Sequence, residues 1–281
     1  QVYLREGEIF TVREMLKAVM VHSANDAAAA LAEFVAGSTE AFVDLMNDKA
    51  RQLGLRETQY NSPHGLPAGP GQDDDLTSAR DLALVGQELL KFPTAMEWAA
   101  ISRAPFRDGK FILTNPNRLL KSFRGADGIK TGYHSKAGHC VTATAKRGDL
   151  RLIAVVMGEK DRKKCFLNVS RLLGRGFAQY RMVKPVERGA PLKEEAIVEG
   201  GVTRSVQLIA GDEILAVIRK TDIPNVHTMV NMPDHIAAPV RAGQRVGEVV
   251  VTVDGHTLGR SPALAVNGVE QSSVWERWWP F

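Results

Sequence analysis

The run Asp127-Gly128-Ile129-Lys130-Thr131-Gly132 is the most informative part of the sequence for its architecture. It predicts a strand that carries a cation and a hydroxyl, bounded by glycines that let another backbone approach closely. Two apolar runs follow at 139–145 and 150–157, and the turn residues 147–149 between them predict an antiparallel hairpin. A helix with one apolar side is predicted next, from Phe166, Val169, Leu173 and Phe177. Together these elements predict helices that cover an antiparallel sheet.

The residues near the start of the chain predict a layer of helices. Asp26 is predicted to cap a second helix, which Gly37 ends. Ser38 is predicted to begin a third helix, which Gly54 stops. The first helix is predicted from apolar residues at helical spacing, which place a core-facing side on Val12, Met15, Leu16, Val19 and Met20.

A fourth helix is predicted from a capping pattern. Ser78 with Asp81 three positions later resembles a capping box, and Pro93 is predicted to close the helix. The apolar positions predicted to be buried are Leu82, Val85 and Leu89.

The pattern changes to strands in the second part of the chain. Asp108-Gly109 between two apolar segments predicts a tight hairpin, and beyond about Pro185 short β-rich runs alternate with turns such as Asp254-Gly255. We therefore predict an α+β fold with helices packed on an antiparallel sheet, followed by a small all-β domain. The predicted divisions are residues 1–183, 184–270 and a tail of 271–281.

Composition excludes several classes of protein. The 281 residues are 44% hydrophobic and 24% charged, values that exclude collagen, a disordered tail protein and a disulfide-dense miniprotein. The formal net charge of +4 comes from interspersed charges, so binding of nucleic acid is not indicated. Cys140 and Cys165 fit no zinc-ligand spacing, and we predict neither a metal nor a cofactor.

Ser23-Ala24-Asn25 interrupts two predicted helices. A hydroxyl and an amide would project together there into whatever cleft lies between the helices. Serine and asparagine are also common capping residues, so a helix junction without chemistry is the alternative interpretation.

Lys130 and Thr131 suit the binding of a carboxylate. An ammonium and a hydroxyl can hold the C-terminal carboxylate of a peptide while the strand edge pairs with the peptide backbone. The alternative is an exposed strand end whose lysine has no function.

A Ser-x-Asn loop followed by a Lys-Thr-Gly strand is typical of penicillin-recognising enzymes that are acylated on serine. On these residues the chain resembles the low-molecular-mass penicillin-binding proteins that are D-alanyl-D-alanine carboxypeptidases. The resemblance implies a penicillin-recognising serine hydrolase-like domain, followed after Pro185 by the C-terminal β module of that family. The segments that carry the likeness are 23–26, 61–66, 78–81, 115–120, 127–132, 172–173 and 176–177.

The resemblance implies catalytic roles for Ser23, Asn25 and Lys130. Ser23 would relay a proton between the nucleophile and the leaving amine, and Asn25 would donate its amide to the peptide carbonyl of the substrate. The His-Gly-Leu setting of His64 is typical of the family, and we interpret it as loop architecture.

The resemblance also implies a substrate-binding strand. Lys130 and Thr131 would bind the carboxylate of the terminal D-alanine, and Gly132 would leave room for the substrate backbone. The backbone N–H of Tyr133 would supply half of an oxyanion hole.

The nucleophile motif of the family, Ser-x-x-Lys, is not found. No serine of the chain has a lysine three positions later, and 22 residues precede Ser23, whereas the family places the motif several tens of residues before Ser-x-Asn. We therefore expect an N-terminally incomplete enzyme that is inactive alone, because loss of such a nucleophile costs on the order of 10⁶ in turnover.

The carboxylate-binding arginines of the family are also displaced. The family often has an arginine at or near Pro116 and another early in the last helix, where this chain has Cys165. The sequence leaves open which nearby cation replaces them: Arg118, Arg162, Lys163 or Lys164.

The function expected from the resemblance is removal of the terminal D-alanine from peptidoglycan stem peptides through an acyl-enzyme, in the periplasm, with β-lactams as further ligands. The alternative is a non-catalytic peptidoglycan-binding or scaffold homologue; a β-lactamase is disfavoured by the additional β domain. The aromatic residues 274–281 could rest at a membrane interface or pack on their own domain.

Overall fold

The structure is a computed structural model that describes residues 1–273. It contains two compact units, one of Gln1–Ala178 and a second that begins at Gln179. Residues 274–281, for which the sequence leaves open a membrane interface or packing on their own domain, lie outside the described residues.

Helices form most of the first part of the first unit. Gly37 ends the second helix and Ser38 caps the third by accepting a hydrogen bond from the N–H of Ala41, as predicted. A π-helix, Ala18–His22, continues directly from the first α-helix. The α-helices are α1 (Val12–Lys17), α2 (Asn25–Ala36), α3 (Thr39–Gln52), α4 (Ala79–Leu89), α5 (Pro93–Ala99), α6 (Leu119–Ser122) and α7 (Arg162–Gln179).

The first predicted helix is present, but its predicted buried side is partly wrong. Val12 and Leu16 are exposed, whereas Met15, Ala18 and Val21 are buried. The buried residues Met15, Ala18 and Val21 are three positions apart, and from Ala18 onward the chain is a π-helix, so the regular α-helical spacing behind the prediction does not hold there.

Two predicted helix boundaries are wrong. Asp26 does not cap α2: the N-cap residue is Ala24, and the Asp26 carboxylate accepts hydrogen bonds from the N–H groups of Val2 (3.0 Å) and Leu4 (3.2 Å). Pro93 does not close α4 but begins α5, because proline is well tolerated in the first turn of a helix.

The capping box predicted for α4 is only half formed. The Ser78 hydroxyl accepts a hydrogen bond from the N–H of Asp81, as a cap does. The carboxylate of Asp81 is fully buried and is bound elsewhere, by the N–H of Glu57 and the hydroxyl of Thr58, each at 2.8 Å. Asp81 therefore ties the segment before α4 to the helix. The apolar positions predicted to be buried here, Leu82, Val85 and Leu89, are half-buried.

The strands of the first unit follow the predicted hairpins. A two-stranded sheet pairs β1 (Arg103–Phe106) with β2 (Phe111–Thr114) around Asp108-Gly109, both of which have positive φ. A three-stranded antiparallel sheet contains β3 (Ala126–His134), β4 (Gly138–Arg147) and β5 (Leu150–Glu159) in that order. In the part of the chain that the structure describes, β3 is thus an edge strand.

The last helix of the first unit packs on this sheet, as predicted. Three buried residues of α7 share a core with side chains of β4, β5 and α6. That core consists of Cys165, Val169 and Leu173 together with Leu119, Val141, Ala143, Ala145 and Ala154.

The second unit confirms the predicted all-β domain. Its main sheet has the strand order β10-β12-β13-β8-β7-β11, and β6 pairs separately with β9. A short 3-10 helix, Lys220–Asn225, was not predicted. The strands are β6 (Tyr180–Val186), β7 (Pro191–Glu199), β8 (Ser205–Ala210), β9 (Ile214–Arg219), β10 (Val226–Asn231), β11 (Ile236–Ala237), β12 (Arg245–Val253) and β13 (His256–Ala265).

Candidate active site

Ser23 occupies the corner between the π-helix and α2. Its backbone is left-handed, with φ 59° and ψ 47°, a conformation that costs a non-glycine residue about 1–2 kcal/mol. Its N–H still donates to the carbonyl of Val19 at 3.1 Å, so the helix ends abruptly at this residue. The reversal places the Ser23 hydroxyl where a side chain from β3 can reach it.

Lys130 is that side chain. Its Nζ donates hydrogen bonds to the Ser23 Oγ at 2.6 Å and to the backbone oxygen of Thr131 at 2.9 Å. Burial lowers the pKa of Lys130 to about 8. Among the described residues no carboxylate forms an ion pair with it. The pair therefore consists of a hydroxyl and an ammonium that can release its proton close to neutral pH.

A cavity of about 280 Å³ lies beside this pair. No acidic side chain lines it, and the guanidinium of Arg162 donates through Nη2 to the carbonyl of Pro116 at 3.2 Å. A cavity with a cation and without a carboxylate favours an anionic ligand. The lining residues are Ser23, Pro116, Thr131, Gly132, Tyr133, His139, Cys140, Val141, Arg162, Cys165 and Phe166.

The structure thus brings together most of the residues that the sequence singled out. Ser23, Thr131, Gly132 and Tyr133 line one cavity, and Lys130 contacts Ser23. Asn25 differs: it is the first residue of α2, is half-buried and does not line the cavity.

Of the remaining candidates only Arg162 lines the cavity. Nδ1 of the exposed His64 accepts a hydrogen bond from the N–H of Leu66 at 3.2 Å, within its own loop. Of the four cations considered as carboxylate ligands, Arg162 lines the cavity, whereas Arg118, Lys163 and Lys164 do not.

Two family models match the chain. The first, described as D-alanyl-D-alanine carboxypeptidase, matches residues 1–161. The chain belongs to this family. The second model, described as the C-terminal domain of penicillin-binding protein 5, matches residues 180–271 and accounts for the all-β unit.

Curated carboxypeptidases of this family resemble the chain over most of its length. The D-alanyl-D-alanine carboxypeptidase DacF of Bacillus subtilis is 37% identical over 276 residues, which are 97% of this chain and 70% of that protein. DacC of Escherichia coli is 34% identical over 281 residues, 99% of this chain and 69% of that protein.

Solved structures of penicillin-binding proteins share the fold. Penicillin binding protein 5 of Haemophilus influenzae matches with a TM-score of 0.73 and 31% identity, covering 96% of this chain and 78% of that one. Penicillin-binding protein D2 of Listeria monocytogenes, solved in a cefotaxime-bound form, matches with a TM-score of 0.56 and 31% identity over 60% of this chain and 67% of that one.

Several residues of the cavity carry no local sequence signal. His139 and Cys140 line it because β4 pairs with β3, which sets them opposite Tyr133 and Gly132. The sequence predicted β4 as one strand of a hairpin. Only the pairing register of β3 with β4 identifies His139 and Cys140 as neighbours of the Lys-Thr-Gly segment. The ring of Tyr133 stacks on that of His139, with 4.3 Å between their centroids.

Two free thiols also line the cavity. Cys140 is half-buried, and Cys165 is buried with its Sγ 3.5 Å from the backbone oxygen of His139. Burial, with a smaller contribution from Cys140, raises the pKa of Cys165 to about 11, so it is a neutral thiol at pH 7. Arg162 lies three residues earlier, and residues at this spacing share one side of a helix. The cavity wall formed by α7 therefore combines a neutral thiol with a guanidinium.

Residues 1–273 contain no cluster of three or more metal-ligating side chains of the His, Cys, Asp or Glu type. Within the same residues no helix is long and apolar enough to cross a membrane.

The pKa of Lys130 predicts a pH-dependent stability. Between about pH 8 and pH 10.5 the folded chain has released this proton and the unfolded chain still holds it, so the free energy of unfolding rises through this window. Relative to Lys130→Met, the wild type should gain up to about 3 kcal/mol from pH 7 to pH 10.5. Chemical denaturation at several pH values measures the difference. A constant difference between the two proteins would contradict it, and Lys136→Met, at an exposed lysine, is the control.

Proposed function

We propose that the chain supplies the substrate-binding cavity and the proton-transfer groups of a serine-type D-Ala-D-Ala carboxypeptidase. Its substrates would be peptidoglycan stem peptides, from which the enzyme removes the terminal D-alanine through an acyl-enzyme that water resolves. The single observation that carries the proposal is the 2.6 Å contact between Lys130 Nζ and Ser23 Oγ beside a cavity that no acidic side chain lines.

Proton transfer would pass through Ser23. Because its Oγ accepts a hydrogen bond from Lys130, its own proton is available for donation to another group. During acylation that group would be the leaving amine of D-alanine, and Ser23 would regain a proton from the attacking serine. The lowered pKa of Lys130 suits this work, because a general acid or base is most effective when its pKa lies near the working pH.

Substrate binding would use the strand and the guanidinium. The terminal carboxylate would be held by the hydroxyl of Thr131 with the charge of Lys130 and Arg162, and the backbone of the peptide would pair with the edge of β3. Gly132 leaves open space for that backbone, since a Cβ at this position would have no heavy atom within 4 Å apart from those of adjacent residues. The N–H of Tyr133 would donate to the oxyanion.

Asn25 would donate its side-chain amide to the peptide carbonyl farther along the substrate. It lies outside the cavity wall but two residues from Ser23, at the first turn of α2. A peptide longer than the terminal dipeptide would be needed to reach it.

The attacking serine is proposed to come from a Ser-x-x-Lys segment, which the 281 residues do not contain. The experiment adds labelled penicillin to the protein expressed from the natural gene when that gene is extended upstream of Gln1. Covalent labelling that is lost when the Ser-x-x-Lys serine is replaced by alanine supports the enzyme. Reversible binding of muropeptides without labelling would overturn it in favour of a non-catalytic peptidoglycan-binding homologue.

The proposed substrate also implies a location. Peptidoglycan stem peptides are processed outside the inner membrane, so we propose a periplasmic protein, with residues 274–281 as a membrane-interface segment. β-Lactams are proposed as further ligands, supported by the cefotaxime-bound form of the Listeria relative.

A further inference from the structure

Two asparagines on either side of Pro116 form a buried hydrogen-bonded link between α5 and β3. Asn117 is 3% exposed, and its Nδ2 donates to the carbonyl of Gly128 in β3 at 3.1 Å. Its backbone N–H donates to the Oδ1 of Asn115 at 2.9 Å. Asn115 in turn donates through Nδ2 to the carbonyls of Ala99 (3.1 Å) and Ile101 (3.0 Å), at the end of α5. We call these two side chains the amide link.

The amide link meets β3 where the strand has least support from its partner. The pairing of β3 with β4 shifts register between Ala126 and Gly128, so the regular ladder of hydrogen bonds is interrupted there. A Cβ at Gly128 would lie 3.1 Å from the Cε of Met96 and 3.2 Å from the Cβ of Ala99, both in α5. The strand is thus seated directly against α5, and Asn117 is the polar contact that holds it there.

This seat lies two residues from Lys130. Both residues belong to β3, so a shift of the strand at Gly128 would also move the backbone from which the Lys130 side chain extends. The same helix α5 also packs against the π-helix that ends at Ser23. The amide link therefore joins β3, which carries Lys130, to the helix that supports Ser23.

We propose that Asn117 is a positioning residue that sets the contact between Lys130 and Ser23. The importance of that contact for a reaction rests on the proposed function, but the contact itself can be measured without activity. Loss of the Asn117 side chain removes the donor to the Gly128 carbonyl and the acceptor for the N–H of Leu119. β3 then moves away from α5, and water reaches Lys130.

The test compares Asn117→Ala with Asn47→Ala in the same chain. Asn47 is a matched control because it is also buried and also makes two side-chain bonds to backbone, with the carbonyl (2.8 Å) and the N–H (2.9 Å) of Tyr60. Both variants are expected to lower the melting temperature. Only Asn117→Ala is expected to shift the titration of Lys130, from about 8 toward 10.5, by about one pH unit or more because burial no longer opposes its charge.

The readout is the pH dependence of acetylation at Lys130, followed by peptide mass spectrometry and normalised to the exposed Lys136. An unchanged Lys130 titration in Asn117→Ala, whatever its melting temperature, would show that Asn117 is only structural and would overturn the proposal. If Asn117→Ala does not fold, Asn115→Ala breaks the other end of the amide link and is subject to the same two outcomes.

The proposed function is tested separately in the same samples by binding of an acyl-D-Ala-D-Ala peptide. A shifted titration in the variant, with no peptide bound by the wild type, would remove the proposed function and leave the positioning role. Peptide binding by the wild type together with an unshifted Lys130 titration in the variant would remove the positioning role of Asn117 and leave the proposed function.

Discussion

Replacing Lys130 by methionine is expected to weaken binding of an acyl-D-Ala-D-Ala peptide to the chain by about 10- to 150-fold, the equivalent of one charge-assisted hydrogen bond of about 1.5–3 kcal/mol. Methionine retains most of the volume of the half-buried side chain and removes its ammonium. The variant also loses the hydrogen bond to Ser23. Isothermal titration calorimetry with the peptide measures the change in affinity.

The specificity of this effect is tested with a second ligand and two further variants. The C-terminal amide of the same peptide should bind wild type and Lys130→Met about equally, because it offers no carboxylate. Arg162→Ala should weaken binding less, since Arg162 is exposed and an exposed ion pair contributes only about 0–1 kcal/mol. Lys136→Met is the matched control at an exposed lysine that pairs with Asp74. Equal loss for the acid and amide peptides would contradict carboxylate recognition by Lys130.

Asp81→Ala is expected to lower the free energy of unfolding by about 2–6 kcal/mol, because two donors that bind its buried carboxylate lose their acceptor at about 1–3 kcal/mol each. These donors are the N–H of Glu57 and the hydroxyl of Thr58. Burial acts to raise the pKa of Asp81, but the hydrogen bonds from Glu57, Thr58 and Arg56 outweigh it and hold that pKa below its ordinary value. Equilibrium unfolding in urea measures the loss.

The pH dependence of the Asp81 effect has a definite sign. A carboxylate whose pKa is lowered in the folded state contributes fully above its unfolded pKa of about 3.9, and the contribution is lost as the pH falls below it. The difference between wild type and Asp81→Ala should therefore shrink on acidification.

A matched control for Asp81 is available in the same segment. Asp75 also accepts hydrogen bonds from two residues, Asn61 and Ser62, but it is only half-buried. Asp75→Ala should cost about 1 kcal/mol, because water can replace the lost acceptor. A cost as large as that of Asp81→Ala would show that burial of Asp81 is not the cause of its effect.

Local sequence signals predicted most of the helices and strands that hold the site. The prediction was wrong where a distant part of the chain binds the side chain that was expected to cap a helix. Gly37, Ser38 and Asp108-Gly109 act as predicted, because a positive φ or a helix cap is a property of a few adjacent residues. Asp26 failed as a cap because the N–H groups of Val2 and Leu4 bind its carboxylate.

The sequence by itself determined the chemical groups of the candidate site and the order of its elements. Ser23, Lys130 and Thr131 were recognisable because the Ser-x-Asn and Lys-Thr-Gly patterns are each confined to three neighbouring residues. Only the tertiary structure decided which groups from distant segments join them. Arg118 and Arg162 are separated by α6 and by the three strands β3, β4 and β5. Of the four candidate cations only Arg162 lines the cavity, because α7 packs on the sheet with this face toward β4. The burial that lowers the pKa of Lys130 was likewise decided by packing, since solvent exclusion depends on neighbours brought together by the whole fold.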